Sequence, residues 1–285
     1  MTSLAILIPN YNGAEFIVDT VERFSKGFPE GIITVIDDAS SDDSVTLLLS
    51  TSAQVIIRKK NGGFAAAVNT GLKYHNEAGT EYVLVANSDI NVNAENCQAI
   101  DKAIKSAILM PNATVLGFLE DSVISGASFQ GANISGFLFG MHMDVVKIVG
   151  YFDESFYMYG EEQDYFRRTL EAGLVIQQTG IRDKHQAERS GVGRLRNSWL
   201  AIRNSLYLET KRLAFWTTCR KAGALFLMIN RLYIPKGGGD PSLRRVLRPG
   251  ILLGNLFLLF AILWNIIKLV KIVTHENKSK SQSKV

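Results

Sequence analysis

Four short polar clusters, Pro9-Asn10-Tyr11-Asn12-Gly13, Asp37-Asp38-Ala39-Ser40, Asn61-Gly62-Gly63-Phe64 and Asn87-Ser88-Asp89, directly follow four apolar runs. Each supplies carboxylate, amide or hydroxyl groups together with the small residues a tight turn needs. Any one of them reads as a turn or a helix cap. Four at successive run ends suggest a shared site instead. The aspartate in the last cluster offers hard carboxylate oxygen, the ligand type that holds a divalent cation against phosphate oxygens.

The elements that must position these clusters follow from periodicity. Leu4–Ile8, Ile32–Ile36, Gln54–Arg58 and Tyr82–Ala86 are short β-branched runs that read as buried strands. Between them Ile17, Val21 and Phe24 have helical spacing, Ser41-Asp42 can cap a helix over Asp43–Ser50, and Phe64–Tyr74 is alanine-rich. Strand and helix in alternation predict a mostly parallel sheet with both faces covered. In such a sheet ligands bind beyond the carboxyl ends of the strands, where the four clusters lie. Further on, Ala94–Leu109 and Glu161–Ala172 read as helices, and Thr114–Leu119, Ile134–Met141 and Leu174–Thr179 as strands.

Motif absences narrow the chemistry. The first cluster holds one glycine, Gly13, so neither GxGxxG nor GxxxxGK[ST] follows the first strand. Phosphates are therefore not gripped by a glycine-rich helix start there. Cys97 and Cys219 lack CxxC or zinc spacing and read as buried thiols in a reducing compartment, the cytosol by default. The run Leu4–Ile8 is too short for a signal-peptide core and has no basic leader, so it is expected to be the first strand.

Charge divides the chain. Residues 1–185 carry 13 Lys+Arg against 23 Asp+Glu, whereas residues 186–285 carry 18 against 4. The basic end implies an anionic partner: phospholipid, a diphosphate lipid or nucleic acid. Its apolar run Ile251–Ile267 favours lipid over nucleic acid, and a mean hydropathy of +0.09 agrees with some contact with membrane. At ~1.5 Å per residue that run is shorter than the hydrocarbon core, and basic residues flank both ends. Attachment in the membrane plane, a true span and burial against protein all remain open. The Lys/Ser-rich tail 275–285 is expected to be disordered.

IPNYNG, DDAS, NGGFAAAVNTG, NSD and ISGFLFGMHMDVVKIVGYFDESFYMYGEEQDYFRR, in this order, resemble glycosyltransferase family 2 and its rhamnosyltransferase-like branch over about residues 4–210. The resemblance implies a GT-A, Rossmann-like α/β fold and inverting transfer of a sugar from a nucleoside diphosphate to an acceptor hydroxyl. It assigns Pro9, Tyr11 and Asp38 to base and ribose binding, with Asp38 at the nucleobase edge. Asn61, Gly63 and Asn69 fall beside the nucleotide-sugar. Asn87, Ser88 and Asp89 occupy the DxD position with Asn87 in place of the first acid, so Asp89 is the implied ligand of Mg²⁺ or Mn²⁺. His185 matches a histidine that completes the metal site; as a residue, it also reads as a loop histidine in a charged run.

Direct displacement at the anomeric carbon needs a base opposite the leaving diphosphate. The resemblance gives that role to Glu162, with Glu161 as orienting neighbour or acceptor binder, although two acids at a helix start also suit the helix dipole. Asp153 and Glu154 match a turn that shapes the acceptor loop, and Tyr157 and Tyr159 either stack on sugar or fill core. Arg203-Asn204 with Tyr207 matches an RNxxY stretch near the diphosphate or the membrane.

The expectation is thus a glycosyltransferase domain over residues 1–210, a basic helical membrane-associating region over 211–274 and the tail. Its expected partners are a nucleotide-sugar, for which the branch resemblance implies dTDP-rhamnose, a glycan or lipid-linked acceptor, and the cytoplasmic membrane face, with no nucleic acid. The rivals are a non-catalytic scaffold of the same fold and a nucleotidyltransferase, which would want a cation in Asn10–Gly13.

Overall fold

Alternation along the first strand sets the two layers of the core. In the computed structural model, which describes residues 3–108, 114–120, 136–185, 194–230 and 250–282, β1 (Leu4–Asn10) turns Ile6 and Ile8 to one layer and Ala5 and Leu7 to the other. All four are fully buried. This is the period of two expected of a strand covered on both faces.

The chain continues through α1 (Ile17–Gly27), β2 (Ile32–Asp37), α2 (Ser44–Leu48), β3 (Gln54–Ile57), α3 (Phe64–Glu77), β4 (Tyr82–Ala86), β5 (Ile90–Asn91) and α4 (Ala94–Ile108). It then forms β6 (Thr114–Glu120), β7 (Leu138–His142), α5 (Met143–Val149), α6 (Glu161–Glu171) and β8 (Val175–His185). Among the described residues the strand order is β3-β2-β1-β4-β7-β6-β8-β5. β2, β1, β3 and β4 are parallel, whereas β7 runs antiparallel between β4 and β6. Val21, Phe24, Ile100 and Ile104 of α1 and α4 cover one face. Val68, Leu72, Val145 and Phe166 of α3, α5 and α6 cover the other. His75 is the one charged-type side chain of α3 drawn into this interior, held between Thr34 Oγ1 at 3.0 Å and Thr80 Oγ1 at 3.1 Å.

A second compact unit begins at Val192. It contains α7 (Arg194–Thr210), α8 (Phe215–Ile229) and α9 (Gly250–Gln282). Its own core joins Ile202 and Leu206 of α7, Leu225 and Ile229 of α8, and Leu258 and Ala261 of α9.

The expected mixed α/β fold is present, with four departures. The division falls after Gly191, so α7, expected within the first domain, belongs to the helical unit. α9 continues to Gln282, through most of the tail expected to be disordered; residues 275–282 contain no Gly or Pro, and extending an existing helix adds a hydrogen bond for each residue fixed. Cys97 is buried as expected, but Cys219 is exposed. The strand expected from Ile134 starts at Leu138, residues 134 and 135 lying outside the described residues.

Candidate active site

The first two strand-end clusters are tied into one platform by their own polar groups. Asp37 is fully buried and accepts from Asn10 Nδ2 at 3.0 Å, Ser40 Oγ at 2.6 Å and Ser40 N at 2.9 Å. Ser40 Oγ accepts in turn from Asn12 N, and Asn12 Oδ1 from Ser41 N at 2.8 Å. Asp42 accepts from Ala14 N and from Ser44 N and Oγ. Burial works against its charge, but these hydrogen bonds prevail and hold the carboxyl below its usual range. Pro9 is buried and Tyr11 half-buried on this platform. Gly13 is packed so closely that an added Cβ would lie 2.3 Å from Asn10 Oδ1 and 3.4 Å from Ser88 Oγ. The platform therefore abuts the Asn87-Ser88-Asp89 turn.

Asp38 and Asn69 each fasten a loop beside the site. The Asp38 carboxylate accepts from Arg58, from Gly62 N and, at 2.7 Å, from Gly63 N. It shapes the 61–63 loop rather than presenting two uncommitted oxygens to a nucleobase. Asn69 points away from that loop: its Nδ2 donates to Phe152 O at 2.9 Å and Glu154 Oε1 at 3.0 Å, and its Oδ1 accepts from Phe152 N. With both ends of the amide so engaged and the residue buried, Asn69 locks the 152–154 turn.

Asn61 and Gly63 join this loop to the one before α6. Tyr157 Oη donates to Asn61 Oδ1 at 2.5 Å. An added Cβ on Gly63, whose φ is +83°, would lie 2.1 Å from the Tyr157 carbonyl oxygen. Only glycine permits that approach. Tyr157 and Tyr159 themselves have φ of +65° and +71°, followed by Gly160 at +89°. Non-glycine residues in this region are held there by their surroundings. Both tyrosines are half-buried, and Asp153 accepts from Ser155 N at 2.9 Å, which gives it the loop-shaping role expected.

The acid pair follows from this loop. Glu161, the first residue of α6, is 4% exposed, and its Oε2 meets no hydrogen-bond partner among the described residues. Burial first, then the neighbouring Glu162 charge, push its carboxyl well above the usual range. Glu162 is half-buried, and its Oε2 accepts from Gly160 N at 3.2 Å. The two adjacent acids thus sit in different surroundings, Glu161 enclosed and Glu162 half-buried.

The Glu162 side chain packs over Gly136, where an added Cβ would meet its Cγ at 2.8 Å. The next residue, Phe137, accepts from Asn87 N at 2.8 Å. One residue pair, Gly136-Phe137, thus has the acid on one side and the Asn87-Ser88-Asp89 turn on the other. That turn is fastened from below by Thr20 Oγ1, which donates to Ser88 O at 2.9 Å. It leads into β5, where Ile90 stands opposite His185 in the antiparallel register. The backbone of His185 therefore lies one position from Asp89.

Several contributors escaped the sequence reading. Gly136 marks close backbone approach, a role glycine in a strand pattern signals. Asp164 and Arg168, bonded at 2.9 Å, stand at the i,i+4 spacing that predicts such a pair. Arg168 also donates to Val149 O and Tyr151 O, fixing α6 to the preceding turn. The Arg58 contact to Asp38 had no local signal.

Among the described residues no group of three or more His, Cys, Asp or Glu side chains could hold a metal ion. The donor set is one carboxylate, Asp89, with the backbone of His185 beside it. This fits a hard cation that takes its remaining ligands from diphosphate and water, as Mg²⁺ commonly does.

Residues 5–107 match the model of glycosyl transferase family 2. No curated protein matches the chain. Solved glycosyltransferases share the fold of this domain at low identity. A mannosyltransferase from Pyrobaculum calidifontis, in complex with GDP-Man and Mn²⁺, is 13% identical over 92% of this chain and 86% of its own, with a TM-score of 0.57. Glucosyl-3-phosphoglycerate synthase from Mycobacterium tuberculosis, with Mg²⁺ and uridine diphosphate, is 13% identical over 73% of this chain and 78% of its own, at a TM-score of 0.58. S. aureus TarS with UDP is 18% identical over 73% of this chain, at a TM-score of 0.51. The chain spans 65% of that TarS chain and 43% of a second, so it covers less than two thirds of both.

Proposed function

We propose that the protein transfers a sugar from a nucleoside diphosphate to a hydroxyl of a lipid-linked or growing glycan, with inversion at the anomeric carbon. Glu162 takes the acceptor proton as the acceptor oxygen bonds to that carbon. The bond from carbon to the diphosphate oxygen breaks on the opposite face, and the nucleoside diphosphate leaves with the electron pair. Glu161, buried beside it, orients Glu162 at the helix start or binds the acceptor. Pro9, Tyr11, Asn61, Gly63, Asn87 and Ser88 line the donor side. Asp89, with His185, would hold a divalent cation, which supplies positive charge against the charge that builds on the diphosphate.

The observation that carries this reading is the packing of Glu162 over Gly136, next to the residue bonded to Asn87. It brings an acid and the turn at the DxD position to either side of two residues. dTDP-rhamnose is the proposed donor on the branch resemblance. Work on the cytoplasmic face of a membrane, with the basic C-terminal unit as the contact, accounts for the charge division. A scaffold without catalysis is the second reading, favoured by Asn87 in place of an acid.

Glu162→Gln keeps the size of the side chain and removes the base. Its kcat for transfer from nucleotide-sugars offered singly is expected to fall about 10²–10⁴-fold with an unchanged melting temperature. Undiminished transfer removes Glu162 from the mechanism. No turnover of any donor by the wild-type chain, with or without Mn²⁺, favours the scaffold.

A further inference from the structure

α9 contains a segment, Ile251–Thr274, that is long and apolar enough to cross a membrane by length and composition. Its packing separates a covered side from an open one. Gly254, Leu258, Ala261 and Asn265 are buried. Asn255 exchanges amide hydrogen bonds with Asn230 of α8 at 3.1 Å in both directions. Asn265 Nδ2 donates to Arg203 O of α7, and the Trp264 ring lies under the Arg203 guanidinium at 4.5 Å and against Tyr207. The stretch from 254 to 265 is therefore fastened to α7 and α8.

The opposite side of the helix is apolar and open. Leu252, Leu256, Leu259, Phe260, Leu263 and Ile267 are 42% to 80% exposed. At about 100° per residue these positions form one stripe, centred about 180° from the packed side. Lys271 lies at its margin and Lys268 further round toward the packed side, with Lys268 Nζ 5.1 Å from the Trp264 ring. Phe226 and Leu227 of α8 are also exposed.

A crossing orientation conflicts with this packing. Residues 254–265 cover the first ~20 Å of the apolar segment at ~1.5 Å rise. Were they in hydrocarbon, α7 and α8 would be carried in with them. Those helices hold Arg203, Glu209, Arg220 and Lys221, and charged groups are costly at that depth. The rest of the apolar segment, residues 266–274, includes Lys268 and Lys271 and at ~1.5 Å per residue is too short to cross alone.

We propose that α9 lies in the plane of an anionic lipid surface, its Leu252-to-Ile267 stripe among the acyl chains and Trp264, Lys268 and Lys271 at the headgroup level. Lipid suits this face because a bare stripe is bordered by lysines, the arrangement of in-plane amphipathic helices, and anionic headgroups complement those lysines. The inference rests on the membrane-surface reading above and is independent of the Glu162 assignment.

The test uses the full chain and sealed vesicles of phosphatidylcholine with or without phosphatidylglycerol. Co-flotation is expected to be at least about tenfold stronger with phosphatidylglycerol. Replacing Phe260 and Leu263 together by Asp is expected to abolish it while leaving the melting temperature unchanged. A Cys219→Ser, Ser283→Cys chain, added from outside, is expected to react fully with a membrane-impermeant maleimide. Flotation with Ser283→Cys protected from the reagent overturns the in-plane orientation and leaves the membrane reading standing. No flotation with either vesicle overturns both. Flotation that survives the double Asp variant, or a dimer that the variant dissolves without any vesicle binding, assigns the stripe to something other than lipid and overturns the proposal.

Discussion

Leu84 and Leu259 are the same side chain put to opposite uses. Leu84, in the middle of β4, is 0% exposed, whereas Leu259, in the middle of the apolar run 251–267 of α9, is 52% exposed. The sheet unit places its apolar residues between layers and its polar ones at strand ends. The helical unit needs only one side of its longest helix for its core and leaves the other apolar. The hydrophobic drive that folds the first unit is, in the second, partly left over for a partner.

Substitution at the two leucines is the sharpest test of this contrast. Leu84→Ala is expected to cost about 2–5 kcal/mol through lost burial and the cavity it leaves. Leu259→Ala is expected to change stability by no more than about 0.5 kcal/mol. Denaturant melts of both proteins measure the difference. Equal losses would show that Leu259 is covered by protein and would erase the distinction between the units.

A smaller effect probes how the sheet unit uses buried polar groups. Asn69→Ala removes the amide that bonds Phe152 N, Phe152 O and Glu154, and is expected to cost about 1–3 kcal/mol and to loosen the loop that leads to the acids. Melting temperature and kcat should therefore fall together. Loss of donor affinity with unchanged stability would return Asn69 to the sugar.

The mildest test is pH. Burial lowers the His75 value from 6.5 to about 4, so its folded form excludes the proton that the unfolded chain takes up. Its contribution to stability is full above about pH 6.5 and declines as pH falls toward 4. Glu161 has the opposite sign: its raised value favours the folded state below its ordinary 4.5 and works against it as pH rises. Unfolding at pH 5 and pH 8 is expected to show Glu161→Gln stabilised more at pH 8, and His75→Gln less sensitive to acid than the parent. An Ile90 or Ile100 change, with no titrating group, should alter neither slope.

Much of the sheet was legible because its strands are short runs with few competing readings. Tyr82–Ala86 was read with the bounds it has, and the other early strands to within one or two residues. α5 was missed because seven residues give too little periodicity, and β5 because two give none. In the site, residue types pointed to the right loops but not to the partners within them. Asp38 and Asn69 look like ligand contacts in one dimension. Their hydrogen bonds to residues 24 and 83 positions away, at Gly62 and Phe152, depend on how loops meet in space. The upward shift of the Glu161 carboxyl is likewise a property of burial, which the motif GEEQD does not encode.

The contact between Gly63 and the Tyr157 carbonyl has a practical consequence for anyone reshaping this protein. If the proposed function holds, grafting a foreign loop onto residues 153–160 to change the acceptor would also disturb the loop of Asn61 and Gly63 on the proposed donor side, unless the graft keeps a carbonyl at that spot. Libraries that vary both loops at once, holding Gly63 and the backbone of 157 constant, stand a better chance of new specificity than libraries that vary either alone.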